Sequence, residues 1–122
     1  MKRRELLVAG LGMSALLGQE TKKGEKLAPY YPTPETIVEK MLQLGGAKKG
    51  ERVFDLGSGD GRIVIIAADR FGMSAVGVEY DKDLYSQSSE KIRRMGLAEK
   101  ARIIHGDLLQ QDYTSADLIT VY

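Results

Sequence analysis

Three carboxylate side chains stand at intervals in the sequence, each at the end of a short apolar run. Asp55 lies in "ERVFDL", Glu79 in "SAVGVEY" and Asp107 directly after "ARIIHG". Carboxylates accept hydrogen bonds from hydroxyl and amino groups and attract ammonium groups. If the fold brings the three together, they form a binding site for a polar ligand that carries positive charge.

A dense glycine cluster follows the first of these carboxylates in "VFDLGSGDGR". The pattern is D-x-G-x-G-x-G and comprises Asp55, Gly57, Gly59 and Gly61. Glycines at this density are unfavourable in a regular element, so they indicate a tight turn that a ligand approaches closely. A dinucleotide fingerprint, G-x-G-x-x-G, would require a glycine where Arg62 stands. An acid before the first glycine suits a cationic ligand better than a pyrophosphate, although a nicotinamide-dependent oxidoreductase remains an alternative.

Composition limits the chemistry available to the chain. Its 122 residues suit one domain, and the net charge of +1 makes nucleic acid an unlikely partner. The absence of cysteine excludes disulfides, thiolate metal sites and a cysteine nucleophile. A single histidine, His105, is expected to have a structural role, and no metal site is predicted.

The elements around the glycine cluster alternate between strand and helix. A helix is predicted in "PTPETIVEKMLQLGG", with Thr33 as its N-cap, and further helices in "GRIVIIAADRFG" and "DKDLYSQSSEKIRRMG". The helix in "GRIVIIAADRFG" is apolar nearly all round and should be buried. These helices alternate with four apolar runs that are predicted to be strands. The alternation predicts an α/β fold with a parallel sheet covered by helices on both faces. Ligands of such sheets bind at the carboxyl ends of the strands, where the three carboxylates would meet.

The N-terminus differs from the rest of the chain. Residues 1–18 combine a basic start with the apolar run Leu6–Leu17, which predicts a signal-like or membrane-anchor segment, and a buried helix is the alternative. Arg3 and Arg4 are similar to a twin-arginine export signal. Residues 19–29 are polar and predict a linker, so the folded domain should span residues 30–122.

The stretch from residue 30 to residue 122 resembles the class I S-adenosylmethionine-dependent methyltransferases, which have a Rossmann-like fold. The resemblance lies in four motifs: "DLGSGDGRIVIIAA", "GVEYD", "IIHGDLL" and "ADLITVY". The upstream "PYYPTP" is most similar to small protein-lysine methyltransferases of the ATP synthase c-subunit type and their bacterial relatives. The resemblance implies S-adenosylmethionine as the cofactor. It leaves the methyl acceptor open among a protein lysine, a small molecule and RNA, with the first two favoured.

The resemblance also implies roles for individual residues. Asp55 and the glycine loop with Ser58 would hold the methionine end of the cofactor, and Glu79 would accept both ribose hydroxyls. Asp107 and the Leu108 backbone would bind the adenine, with Tyr80 beside the adenine or its ribose. The implied cofactor-binding set is Tyr30, Thr33, Asp55, Gly57, Ser58, Gly59, Gly61, Glu79, Tyr80, Asp107 and Leu108. Tyr122 lies either at the start of a substrate-facing motif or at the end of a core strand, and no catalytic residue is assigned.

The family's sheet has seven strands, and the motifs here account for the N-terminal four. The chain is therefore expected to be C-terminally incomplete, with its fourth strand exposing an edge that could pair with another chain. A non-catalytic cofactor-binding module remains an alternative to a methyltransferase. Since the implied cofactor is intracellular, the leader is expected to hold the protein at the cytoplasmic face of a membrane, with export as the alternative.

Overall fold

The computed structural model describes residues 6–8 and 33–121. Its centre is a parallel sheet of five strands in the order β1-β5-β2-β3-β4. The strands are β1 (Leu6–Val8), β2 (Arg52–Leu56), β3 (Ser74–Glu79), β4 (Ala101–His105) and β5 (Leu118–Val121). The α/β fold with a Rossmann-like parallel sheet, predicted from the sequence, is confirmed.

Three helices alternate with the strands: α1 (Glu35–Leu44), α2 (Arg62–Arg70) and α3 (Lys82–Arg94). The prediction that Thr33 is the N-cap of α1 is wrong. Pro34 takes the N-cap position and makes no side-chain cap bond. Its carbonyl accepts from the N–H groups of Ile37 and Val38, so the first turn closes without a hydroxyl acceptor.

Helix α2 is buried, as its composition predicts. Six consecutive residues from Ile63 to Ala68 are each at most 6% exposed. Their core includes buried residues of α1, such as Leu42, and of α3, such as Ile92, together with Val53 and Leu118 of the sheet. All three described helices therefore contribute to one core on one face of the sheet.

A second, smaller cluster packs on strand residues that alternate with the first set. It contains Phe54, Val76 and Ala116, with Tyr113 and Ile119 partly buried beside them. The Tyr113 ring meets the Phe54 ring edge-on, with centroids 5.2 Å apart. On this face, the segment between β4 and β5 supplies the packing. The prediction that helices cover both faces is therefore not met within the described residues, whose three helices all pack on the other face.

Strand β1 pairs with β5, the strand that was expected to expose a free edge. Leu6, Leu7 and Val8 pair in parallel with Ile119, Thr120 and Val121 of β5. The prediction that the last strand exposes a free edge is wrong along these residues, because backbone groups of the same chain's apolar N-terminal run take up the pairing. Apart from these three residues, the predicted leader and linker lie outside the described residues.

Within the described segments, none of the helices has the length and hydropathy needed to cross a membrane.

Candidate functional site

The strand register places the functional side chains at one edge of the sheet. Asp55 is the register partner of Thr120 on one side and of Gly77 on the other. Glu79 ends β3 beside His105, the last residue of β4. Since all strands are parallel, the carboxyl ends of β2, β3 and β4 meet at the same edge, as predicted for Asp55, Glu79 and Asp107.

The glycine loop joins β2 to α2 in a backbone conformation that requires glycine. Gly57, Gly59 and Gly61 have φ values of 75°, 57° and 80°, a region that side chains with a Cβ rarely adopt. The N–H groups of Gly57 and Ser58 both donate to the Val78 carbonyl, at 2.9 and 3.0 Å. These bonds hold the loop against the end of β3.

Two of these glycines meet different surroundings. A Cβ built on Gly57 would touch nothing within 4 Å, so open space lies over this part of the loop. A Cβ on Gly61 would approach Ser88 Cβ of α3 at 3.1 Å. Gly57 therefore leaves room for a ligand, while Gly61 lets α3 pack closely against the start of α2.

Ser58 points inward. Its side chain is 6% exposed, and its Oγ has no hydrogen-bond partner in the described structure. It fills the space over Gly77, where an added Cβ would lie 2.6 Å from Ser58 Cβ. Gly77 was not singled out from the sequence, and its role here is to admit Ser58 against β3.

Asp55 is a carboxyl group in an almost dry environment. Its side chain is 2% exposed, and Thr120 Oγ1 donates to its Oδ1 at 2.8 Å. Burial raises the pKa of Asp55 to about 7, with smaller contributions in the same direction from the charges of Glu79 and Asp60, while the bond from Thr120 lowers it. A neighbouring cation would favour the ionised form, so the group is suited to meet a positively charged ligand.

Glu79 connects the two loops that flank β3. Its Oε1 accepts from Gly59 N at 2.7 Å, and its Oε2 accepts from Asp81 N at 2.9 Å. The carboxylate is nearly buried. Two carboxylate oxygens offer about four acceptor positions, so Glu79 retains capacity for the hydroxyl groups of a ligand.

Asp107 caps the short turn that follows β4. Its Oδ1 accepts from Leu109 N at 2.8 Å and starts the 3-10 turn Leu108–Gln110. The Tyr113 hydroxyl donates to the Leu108 carbonyl and fastens the turn to the Phe54 cluster. Tyr113 was not singled out from the sequence because its partners are identifiable only in the folded chain.

Apolar side chains lie exposed near the same edge. Tyr80, directly after β3, is 78% exposed, and Leu108 is 39% exposed. His105 stacks on Tyr85 with ring centroids 5.1 Å apart, and its Nε2 lies 3.1 Å from the Tyr80 carbonyl oxygen. His105 thus supports the segment that carries Tyr80, in agreement with its expected structural role.

Arg62 links the glycine loop to the segment before α1. Its guanidinium donates to the Thr33 carbonyl at 2.7 Å and pairs with the Asp60 carboxylate at 3.1 Å. Thr33 is buried, and its carbonyl oxygen is the atom that contacts Arg62; its implied role toward the cofactor stays a prediction. Tyr30 and Tyr122 lie outside the described residues.

Two further features complete the surroundings. Over the described range, no group of three or more acidic or histidine side chains is arranged to hold a metal ion. A shallow groove runs along one side of α3, and its lining shares none of the predicted cofactor residues. The groove is lined by Asp60, Ser86, Gln87, Ser88, Glu90, Lys91 and Arg94.

Comparison with known proteins gives one family match. The model of the ANTKMT methyltransferase domain matches residues 55–122, from the first carboxylate through β5. A protein-lysine N-methyltransferase of Saccharolobus islandicus is 37% identical over 95 residues, covering 77% of this chain and 59% of the relative. The ATP synthase c-subunit lysine N-methyltransferase of Xenopus laevis is 34% identical over 94 residues, covering 77% of this chain and 41% of the relative.

Solved structures give the same fold. An RNA methyltransferase from Salinibacter ruber, in complex with S-adenosyl-L-homocysteine, superposes with a TM-score of 0.73 at 39% identity. The match covers 75% of this chain and 60% of that one. The chain thus spans less than two thirds of the length of these relatives. The predicted resemblance to S-adenosylmethionine-dependent methyltransferases, and to lysine methyltransferases of the c-subunit type, is confirmed.

Proposed function

We propose that this chain, which belongs to the family of the ANTKMT methyltransferase domain, is the cofactor-binding part of an enzyme that methylates a protein lysine. S-adenosylmethionine is the cofactor of this family. When bound, it supplies a methyl group already activated by attachment to a sulfonium sulfur. The protein then needs no metal and no nucleophile of its own, and its contribution is to bind and align the two reactants.

The observation that carries the proposal is the junction of three groups at the sheet edge. The buried Asp55 carboxyl, the Glu79 carboxylate and the left-handed glycine loop lie on adjoining strand ends. Glu79 and the loop are in direct contact through the bond to Gly59 N. The residues fit the cofactor, since the space over Gly57 is open and both carboxyl groups match its ammonium and hydroxyl groups.

We assign the following binding roles to the chain. Asp55 faces the ammonium group of the methionine portion, and Glu79 accepts from the ribose hydroxyls. Asp107 and the Leu108 backbone accept from and donate to the adenine edge, while Tyr80 covers one side of the ring or its ribose. The glycine loop, with Ser58 buried beneath it, approaches the methionine portion without intervening Cβ atoms.

The segment before α1 closes the methionine end. Arg62 holds the Thr33 carbonyl against the glycine loop, and we assign Tyr30, three residues earlier in the chain, to the same end of the cofactor from the family resemblance alone. A nicotinamide-dependent oxidoreductase is disfavoured by the same residue, because Arg62 stands where a dinucleotide fingerprint requires glycine. A methyl-transfer assay distinguishes a methyltransferase from a cofactor-binding module without transferase activity.

The acceptor is proposed from the names of the relatives. Two relatives are named as lysine methyltransferases, one of proteins in general and one of the ATP synthase c-subunit, and both match 77% of this chain. A second candidate acceptor is RNA, which the name of the Salinibacter ruber structure favours. A lysine must reach the methyl group unprotonated. A site poor in water favours this form because it lowers the pKa of the lysine amino group.

The experiment is a methyl-transfer assay with radiolabelled S-adenosylmethionine on the full-length protein. One arm offers cell-membrane proteins that include the ATP synthase c-subunit, and the other offers total RNA. We expect label in protein, located on lysine by mass spectrometry, and none in RNA. Label in RNA alone would contradict a lysine acceptor, and cofactor binding without transfer to either would leave a binding module as the function.

A further inference from the structure

Thr120 was not singled out from the sequence, yet it makes the one hydrogen bond to the Asp55 carboxyl group among the described residues. The two are register partners on β5 and β2, and Thr120 Oγ1 lies 2.8 Å from Asp55 Oδ1. Thr120 is 0% exposed, so no solvent competes for its hydroxyl. The Phe54 carbonyl oxygen lies 3.5 Å from the same hydroxyl and offers a second acceptor.

A hydroxyl at this place can serve both forms of the carboxyl group. It donates to Oδ1 when Asp55 is ionised. When Asp55 carries a proton, that proton can be donated to Thr120 Oγ1 while the hydroxyl turns toward the Phe54 carbonyl. The bond to the ionised form is the stronger because it is charge-assisted. Thr120 therefore keeps Asp55 in place in either state and favours ionisation.

The charges around Asp55 act in the opposite direction. Glu79 from β3 and Asp60 from the glycine loop are the charged groups that act on it, and both are acidic. Asp60 is paired with Arg62. No cation acts on Asp55 from the described strands beside it, and its surroundings are nearly dry. A cation that arrives with a ligand would supply the missing counter-charge.

We propose that Thr120 is a positioning residue for Asp55, and that Asp55 binds the ammonium group of the cofactor in its ionised form and releases its proton to solvent on binding. The inference rests on the proposed cofactor site. The charge balance is complete, because the carboxylic acid loses one proton and the resulting carboxylate pairs with the ammonium group. The pKa of about 7 for Asp55 places this release near neutral pH.

Calorimetric titration with S-adenosylhomocysteine tests the inference, because this ligand carries the ammonium group without the sulfonium charge. Affinity is measured from about pH 5 to about pH 7, below the pKa of about 8 of an α-amino group, so that the ligand keeps its ammonium proton. In the wild-type protein we expect affinity to fall with decreasing pH, approaching tenfold per pH unit well below the pKa. Titrations in buffers of different ionisation enthalpy should show about half a proton released per ligand near pH 7.

Two substitutions at Thr120 separate positioning from packing. Thr120→Val keeps the shape and removes the hydroxyl, so we expect its affinity profile to move to higher pH by about one to two units. Thr120→Ser keeps the hydroxyl and should retain the wild-type profile. Asp55→Asn should abolish proton release, whereas Asp69→Asn, an exposed aspartate on α2, should leave it unchanged.

Coinciding profiles for the wild-type protein and Thr120→Val would overturn the inference, as would proton release that persists in Asp55→Asn. Either result with normal ligand binding leaves the proposed function intact. Failure of the wild-type protein to bind S-adenosylhomocysteine at every pH would instead overturn the proposed cofactor site, and the inference with it.

Discussion

The backbone N–H of Gly59 donates to Glu79 Oε1 across a distance of 2.7 Å, between residues 20 positions apart in the chain. This bond ties the glycine loop to the carboxylate that ends the neighbouring strand. The second oxygen of Glu79 holds the start of α3 through Asp81 N. One side chain therefore sets the position of two loops that together form the proposed cofactor site.

Substitution of Glu79 by glutamine should weaken cofactor binding without removing the side chain. Both oxygens accept from N–H groups, so the amide of glutamine must face one of these donors with its own NH₂ group. We expect affinity for S-adenosylhomocysteine to fall by about tenfold or more, and the free energy of unfolding to drop by about 1–3 kcal/mol. Calorimetry and chemical denaturation measure the two effects. Glu90→Gln is the control, because Glu90 is an exposed partner of Arg93 on α3; equal losses in both variants would refute the role of Glu79.

Comparison of Gly57 with Gly50 tests whether a ligand approaches the glycine loop. Both have positive φ, 75° and 84°, and an added Cβ would contact nothing within 4 Å at either position. Alanine should therefore cost each variant a similar backbone strain of about 1–2 kcal/mol. Gly57 belongs to the loop, whereas Gly50 precedes the opposite end of β2. We expect Gly57→Ala alone to lose about tenfold or more in S-adenosylhomocysteine affinity. Normal binding by Gly57→Ala would exclude a ligand from the space over this residue.

The stability of the protein should depend on the ionisation of Asp55. Because burial raises its folded-state pKa from 3.8 to about 7, the folded state holds a proton that the unfolded state loses between these values. Unfolding free energy should therefore decrease as pH rises from about 4 to about 7, by on the order of 4 kcal/mol, and change no further from this group above that range. Asp55→Asn should lack this decrease, so its free energy of unfolding should rise relative to that of the wild type as pH increases. Denaturation curves at several pH values measure it, and parallel curves for the two proteins would contradict a buried, proton-binding Asp55.

Removal of the Arg62 guanidinium should loosen the segment before α1. In Arg62→Ala the Thr33 carbonyl loses its donor and Asp60 loses its ion pair. We expect faster amide exchange at the start of α1 and a reduced affinity for S-adenosylhomocysteine. For the affinity, Arg70→Ala is the control, since Arg70 pairs with Glu35 and Glu39 at the surface, where solvent screens ion pairs. The prediction fails if both variants bind the ligand with wild-type affinity.

The parts of the site that follow from local sequence were predictable. The three glycines occupy the positive φ values expected of a turn at a strand end. The acids near the carboxyl ends of β2 and β3 and just after β4 lie at one edge because parallel strands align their ends. Helix α2 could be predicted as buried because it has few polar residues on any side. These inferences need only neighbours along the chain and the period of each element.

The contacts that depend on distant residues were not predictable. Thr120 meets Asp55 across 65 positions, and only the pairing of β5 with β2 brings them together. Arg62 reaches Thr33 across 29 positions, a contact that likewise exists only in the folded chain. Ile37 is apolar, and its spacing from Met41 is that of one helix face, but it is 46% exposed because α1 packs through Val38, Met41 and Leu42. The pairing of Leu6–Val8 with β5 was missed because an apolar run beside a basic start is also typical of a leader segment.

A crystal structure of the full-length protein with S-adenosylhomocysteine would show whether Asp55, Glu79 and Asp107 bind the cofactor. We expect the ribose hydroxyl oxygens within about 3.2 Å of the Glu79 carboxylate, as in hydrogen bonds. We also expect the ligand's ammonium group nearest to Asp55 and its adenine beside Asp107 and Leu108. A ligand bound elsewhere, such as in the groove along α3, or a Glu79 carboxylate that makes no contact with the ribose, would contradict these roles.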